Sequence, residues 1–309
     1  MTTSFKFELR PGSVVTGKWR QGRYRVERLL GEGANGKVYL VQNDREWLAM
    51  KIGIDAVDLQ SEINVLKAMA RQQRQSGGRE CFLHDVDDLV VEDGKELSFY
   101  TMRYIRGTTL AGYLQEHGLE WFPLVGLNLL NKLAGLHKAG WVFGDLKMEN
   151  VLVADYGHVE LVDFGGATSI GKSIRQFTEI YDRGYWNSGS RSADPRYDLF
   201  SFGVLCIQIH EGKKLYQLTK DLIPQNRSAE ELLRIAEGCQ SLKASLPWLK
   251  QAFAGSFPDA AEGAESWRSL MHRRSVPHAS ATPSWLKGLV AATGALLAVS
   301  IVWLVSIML

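Results

Sequence analysis

The chain has 309 residues, 45% of them hydrophobic and 23% charged, with a formal net charge of +2 at pH 7. That balance excludes any argument from bulk charge for a polyionic partner, and leaves room for one two-lobed domain of ordinary globular character. Cys81, Cys206 and Cys239 are an odd, widely spaced set, which excludes a cysteine metal cluster and fits a reducing compartment.

Residues 1–23 are a basic lead-in, and Tyr24 to Leu30 reads as a strand crowded by Lys18, Arg20, Arg23, Arg25 and Arg28. Gly31-Glu32-Gly33-Ala34-Asn35-Gly36-Lys37-Val38 then spells G-x-G-x-x-G-x-V. A ligand-free glycine turn or a dinucleotide-binding loop can use the same letters. A dinucleotide fold needs a helix directly after the last glycine. Here Lys37 to Val41 is β-branched and aromatic, and reads as the second strand of a hairpin. Lys51 stands in the apolar run Leu48-Ala49-Met50-Lys51-Ile52, where a lone lysine is by itself a solvated edge charge. From Leu59 to Arg71, Ile63, Leu66 and Ala70 recur at helical steps. Lys67, Arg71, Arg74 and Arg79 mark this helix and its end, and Asp85, Asp87, Asp88, Glu92 and Asp93 form an acidic counterpart. These charges read as two solvated faces or, alternatively, as the seat of an anionic regulator, DNA or acidic lipid.

The middle of the chain carries the chemistry. Phe143-Gly144-Asp145-Leu146-Lys147-Met148-Glu149-Asn150 and Val162-Asp163-Phe164-Gly165 place Asp, Lys, Asn and Asp at spacings of two, three and thirteen. Phosphoryl transfer from a nucleotide needs one carboxylate to orient a hydroxyl, and an amide and a second carboxylate to hold magnesium. Either string alone occurs by chance; both, behind a glycine loop and a lysine, form a specific set. Beyond them, Phe200 to Ile209 reads as an apolar helix with Cys206 in its core, and Leu232 to Ala236 and Trp248 to Phe253 have helical spacing without chemistry.

From about Tyr24 to Gly212 the chain resembles the bacterial Hanks-type serine/threonine protein kinases. The resemblance implies an α+β, two-lobed protein kinase-like fold spanning 24–274. An antiparallel N-lobe occupies about 24–104 and a mostly helical C-lobe about 105–274. It implies ATP as phosphate donor with Mg2+ or Mn2+, and Ser/Thr side chains of proteins as acceptors. Lys51 would grip the α- and β-phosphates with Glu62 as its partner. Asp145 would accept the substrate hydroxyl proton, Lys147 would steady the γ-phosphate, and Asn150 and Asp163 would bind the metal. Gly31, Gly33 and Gly36 would admit the phosphates, while Leu30, Val38, Ala49 and Leu152 would sandwich the adenine. Met102 would close the back of the pocket, and the backbone of Arg103 to Ile105 would bond the adenine edge. Asp198 would brace the catalytic loop from below, and Lys147, two residues after Asp145, follows the serine/threonine pattern.

Three departures bear on regulation. Phe143-Gly144 replaces the usual His-Arg; Phe143 can serve as packing, but Gly144 cannot pair with an activation-loop phosphate. No A-P-E string follows Gly165, and Thr178 to Trp186 occupies the substrate-docking position instead. Met148 replaces a proline. A pseudokinase scaffold that binds nucleotide without turnover is the alternative, and small-molecule phosphotransferases of kinase-like fold are a third reading. Thr168, Ser169, Ser173 and Thr178 are exposed-loop candidates for autophosphorylation, with Lys172 and Arg175 nearby.

Residues 275–284 are small, polar and proline-bearing, as suits a tether. Within 286–309, the 22 residues from Gly288 carry no charge, and as a helix would span ~33 Å, enough to cross a bilayer core. Trp285, Trp303 and Lys287 fall at interface depths, and Arg268, His272, Arg273 and Arg274 obey the positive-inside tendency. The expectation is a tail-anchored cell-membrane protein with its kinase domain in the cytoplasm and its input from that side. In this it is similar to the membrane kinases of spore-forming bacteria, a sporulation-associated group in which DNA-responsive activity is known. Self-association stays open, because Gly288 and Gly294 lack the four-residue spacing of a close helix pair.

Overall fold

The computed structural model describes residues 7–33, 35–75, 82–91, 94–175, 177–275 and scattered positions between 289 and 305. Its first part is one antiparallel sheet. β1 (Val14–Thr16) pairs with β2 (Arg23–Gly33), whose alternation buries Tyr24 and Val26 and turns Arg23 and Arg25 outward. β3 (Gly36–Asn43) and β4 (Glu46–Gly53) continue the hairpin. α1 (Ala56–Gln75) follows after a two-residue turn, where Asp55 Oδ1 accepts the Val57 and Asp58 amides at 2.7 and 3.1 Å. This turn is why Lys51 and Glu62 stand only 11 residues apart. β5 (Leu83–Val90) and β6 (Glu96–Arg103) complete the order β1-β2-β3-β4-β6-β5.

The turn that follows β1 reaches β5 at the other end of that order. Lys18 N donates to Asp88 O at 2.7 Å, and the Trp19 and Arg20 amides donate to Asp87 at 2.9 and 2.8 Å. The sheet covers a core that includes Tyr24, Tyr39, Met50 and Phe99. The contact between the turn and β5 also revises the reading of the basic stretch. Lys18 pairs with Glu96 and Arg20 with Asp85, each at 2.6 Å, so part of it is matched by the acidic strand. Arg23, Arg25 and Arg28 remain exposed. The Arg74 side chain, Arg79, Cys81, Glu92 and Asp93 lie outside the described residues.

The second part is mostly helical. β7 (Thr108–Thr109) leads into α2 (Leu110–His117) and α3 (Phe122–Lys138), then β8 (Trp141–Val142), β9 (Val151–Ala154), β10 (His158–Leu161) and β11 (Thr168–Ser169). α4 (Pro195–Asp221) is far longer than the apolar run 200–209 that announces it. Asp194 caps it and Pro195 opens it, where a missing N–H costs nothing. α5 (Ala229–Glu237) and α6 (Leu246–Phe253) pack against α4, and α7 (Ala260–Ser275) follows. Phe122, Phe202, Trp248 and Trp267 form one aromatic knot, with Phe202 5.1 Å from Trp248 and 5.2 Å from Trp267. Cys206 and Cys239 are buried free thiols.

The chain divides into two units, 1–267 and 268–309. In the second, the hydroxyls of Thr293 and Ser300 bond to carbonyls four residues back. Among the described residues no helix is long and apolar enough to cross a membrane. Most of 286–309 and of the tether 275–284 lies outside them, as do the side chains of His272, Arg273 and Arg274.

One buried carboxylate ties the two parts together. Glu160 of β10, 7% exposed, accepts Arg103 Nη2 at 2.6 Å, Lys132 Nζ at 2.9 Å and His158 Nε2 at 3.1 Å. Burial works to raise its pKa, but Lys132 and then Arg103 hold it below the ordinary glutamate value.

Phe202→Ala removes the centre of the aromatic knot and is expected to cost about 3–5 kcal/mol, read as a fall in Tm with secondary structure retained. Because the folded pKa of Glu160 is depressed, its stabilisation is complete above the unfolded glutamate pKa of about 4.3. It is lost as pH falls through the lower folded value. Thermal unfolding across that window should show a smaller acid loss in Glu160→Gln than in the parent.

Candidate active site

β4 is covered on both faces, so Lys51 is carried inside with 4% of its surface exposed. A lone ammonium there is costly, and the fold supplies two carboxylates. Glu62 of α1 takes Lys51 Nζ on both oxygens at 2.7 Å, and Asp163 Oδ1 takes it at 2.8 Å. Burial lowers the Lys51 pKa, but Glu62 and then Asp163 outweigh it and leave it above the usual lysine value. Burial likewise opposes the Asp163 charge, yet the Lys51 ammonium holds that carboxyl below the usual range. Tyr100, opposite Lys51 in the β4–β6 register, donates its hydroxyl to Glu62 Oε2 at 2.9 Å and fixes the glutamate. Sequence reading passes over Tyr100 as part of an apolar strand; the signal is its register with Lys51, which only strand pairing reveals.

The catalytic loop hangs on Asp198. This fully buried carboxylate in the first turn of α4 accepts the Phe143 and Gly144 amides at 2.8 and 2.9 Å. His137 Nε2 stands 2.8 Å away, and its Nδ1 makes no hydrogen bond, which assigns the ring proton to Nε2. Held this way, the loop presents Asp145. Asp145 Oδ2 accepts Lys147 Nζ at 2.6 Å, and Asn150 Nδ2 donates to the Asp145 carbonyl at 2.9 Å.

Three of the four proposed phosphosites are not exposed loop hydroxyls. The Thr178 hydroxyl donates to Asp145 Oδ1 at 2.7 Å, with Lys147 Nζ 3.5 Å away, because the segment folds back over the catalytic loop. Thr168 and Ser169 are half-buried in β11, paired with Val142 and Trp141, and the Thr168 hydroxyl donates to Gly166 O at 3.0 Å. Ser173 is exposed, between exposed Lys172 and Arg175, and its backbone bridges to Ser192.

Between sheet and helices lies a cavity of about 530 Å³, lined above by Leu30 and Val38, behind by Ala49 and Met102, and below by Leu152. Lys51, Asn150 and Asp163 line its inner end. A Cβ on Gly31 or Gly33 would meet nothing within 4 Å, so the loop leaves open room where phosphates would lie. Gly36 has φ +146°, and a Cβ there would fall 2.1 Å from Ile52 O, so glycine is required. At the hinge the backbone amides are not equivalent. The Arg103 N–H is spent on Phe82 O at 2.9 Å, whereas the Ile105 N–H makes no hydrogen bond and is available to an adenine edge. The open cradle, with the hard oxygens of Asn150 and Asp163 beside it, fits a nucleotide carrying magnesium.

The departures now have physical causes. Phe143 is fully buried, edge-on to Phe164 at 5.5 Å, and so acts as packing. Gly144 has φ +80°, and a Cβ would fall 2.5 Å from Gly166 O, so this backbone admits no side chain. The segment without A-P-E is anchored differently. Buried Asp182 accepts Arg191 Nε at 2.6 Å and the Tyr197 hydroxyl at 3.1 Å, Arg183 pairs with Asp194 at 2.5 Å, and the Arg227 guanidinium lies 4.1 Å from the centre of the Tyr185 ring.

The sequence pattern of the protein kinase domain family matches residues 24–274. Serine/threonine-protein kinase YabT of Bacillus subtilis is 37% identical over 263 residues, covering 84% of this chain and 75% of that protein. Serine/threonine-protein kinase PrkC of the same organism is 24% identical over 65% of this chain but only 32% of its own length. Among solved structures, vaccinia related kinase 3 superposes with a TM-score of 0.64 at 17% identity, over 89% of this chain and 94% of that one. The Mycobacterium tuberculosis PknI kinase domain does so at 0.55 and 19%, over 85% and 100%. At such identities the superpositions speak for the fold alone.

Gly144→Ala should cost about 2–4 kcal/mol, from a left-handed backbone angle and the Gly166 carbonyl contact. Gly144→Arg should therefore lower Tm and phosphoryl transfer together rather than raise activity.

Proposed function

The chain belongs to the protein kinase domain family, and from that premise we propose that it is an active, membrane-tethered serine/threonine kinase that phosphorylates itself as well as other proteins. Serine/threonine kinase is the class its relatives support. The observation that carries the active reading is the joined set of Lys51, Glu62 and Asp163, all within 2.8 Å contacts, beside a presented Asp145. A scaffold that only binds nucleotide has no need of Asp145 and Lys147 in that place.

The residues divide the work. Lys51, held by Glu62, meets the α- and β-phosphates, and the open glycine loop lets backbone amides approach them. Asp145 orients the incoming Ser or Thr hydroxyl and takes its proton as the new O–P bond forms and ADP leaves. Lys147 stands beside Asp145 to meet the γ-phosphate. Magnesium, held by Asn150 and Asp163, would neutralise charge on the phosphates.

The uncharged stretch 288–309 supports the tether, with the catalytic part on the cytoplasmic side. Exposed Arg23, Arg25 and Arg28 support an anionic input such as DNA or acidic lipid, one that weakens steeply with salt. Ser173 is the acceptor best placed for self-modification.

The test is incorporation of labelled phosphate from ATP and magnesium by the full chain. Lys51→Met and Asp145→Ala should each lower it at least about a thousandfold, and Ser173→Ala should remove a phosphosite seen by mass spectrometry. ATP binding without transfer would establish the scaffold reading instead. Recovery of the chain in the soluble fraction would dismiss the tether, and rates unmoved by duplex DNA or anionic vesicles at low salt would dismiss the anionic input.

A further inference from the structure

Arg103 holds two positions at once. Its backbone closes β6 at the cavity rim, two residues before the Ile105 amide offered to an adenine edge. Its guanidinium crosses to Glu160 of β10 at 2.6 Å, and Glu160 is three residues ahead of Asp163. Lys132 of α3 secures the other carboxylate oxygen at 2.9 Å, so Glu160 is held by the helical part whether or not Arg103 is present. The Arg103 amide is already tied to Phe82 O. With both main chain and side chain fixed, little freedom is left in the orientation of the peptide units that follow. A small cavity of about 70 Å³ borders the pair and is lined also by Leu66 and Met69 of α1 and by Phe164. The bridge thus stands where hinge, α1 and the Asp163 segment come together.

We propose that Glu160 is a positioning residue for nucleotide binding: by gripping Arg103 it sets the 103–105 edge at a fixed offset from the strand that delivers Asp163. Adenine and phosphates are then received by two surfaces held in register, one from each part of the fold. The inference rests on the kinase reading above and specifies how that site holds its nucleotide. A carboxylate paired within the helical part needs no partner from the hinge, so a purely structural Glu160 would be served by Lys132 alone.

Arg103→Gln and Lys132→Gln in the full chain separate these roles, with ATP affinity measured by titration calorimetry beside steady-state kinetics and Tm. Arg103→Gln should raise the Kd and KM for ATP about five- to tenfold, with kcat within about twofold. Lys132→Gln, which leaves the Arg103–Glu160 bridge intact, should lower Tm while the KM for ATP stays within about twofold. Arg103→Lys should recover part of the lost affinity. The proposal is overturned if Arg103→Gln leaves ATP affinity unchanged, or if both variants weaken it in step with Tm. A parent chain that binds ATP without transferring phosphate would refute the active reading alone, since affinity still reports the bridge. A parent that binds no ATP would refute both.

Discussion

A buried lysine sets the terms for the rest of this molecule. Lys51 gives up nearly all of its water on β4, and the loss is offset by carboxylates arriving from two other places: Glu62 on α1 and Asp163 after β10. Removing the ammonium would leave two carboxylates without their common counter-charge, and Glu62 would lose it in a buried setting, where breaking a pair is far costlier than never having built it. The two-residue turn with its Asp55 hydrogen bonds places α1 so that Glu62 reaches the ammonium, and Asp163 meets it from a left-handed backbone position.

The catalytic loop is held by the same logic applied to backbone donors. Asp198 takes two consecutive amides and a histidine, and is thereby fully satisfied in the interior. The loop's path brings Gly144 against the Gly166 carbonyl, which leaves no room for a side chain. The glycine and the backbone path are thus matched, and an arginine does not fit this path. Control through a loop phosphate at that contact is closed to this chain. The docking segment carries its own ion pairs and an arginine over Tyr185 in place of the usual motif.

The Glu160 bridge extends the pattern across the hinge. In each case a buried charge is met by partners from elements far apart in the chain: carboxylates for Lys51, and N–H donors for Asp198 and Glu160. Ion pairs and charge-assisted hydrogen bonds thus help to preorganise the cleft.

The candidate residues for phosphate and hydroxyl were legible in order and spacing, because a glycine loop, a strand lysine, and the Asp-Lys-Asn and Asp-Phe-Gly strings are local patterns read without a fold. The hairpin after Gly36 and the helix bearing Glu62 were legible for the same reason, since period-two and helical spacing are properties of neighbours in sequence. Tertiary structure alone decided what depends on pairing between distant segments. It set Tyr100 against Glu62, gave the Thr178 hydroxyl to Asp145, placed Thr168 and Ser169 in a short strand, spent the Arg103 amide on Phe82, and matched Lys18 and Arg20 with acidic residues of β5 and β6. A hydroxyl, an amide or a surface charge has no fixed partner until the chain closes. Its role is set by which donor or acceptor comes within about 3 Å, and the sequence around it carries no record of that distance.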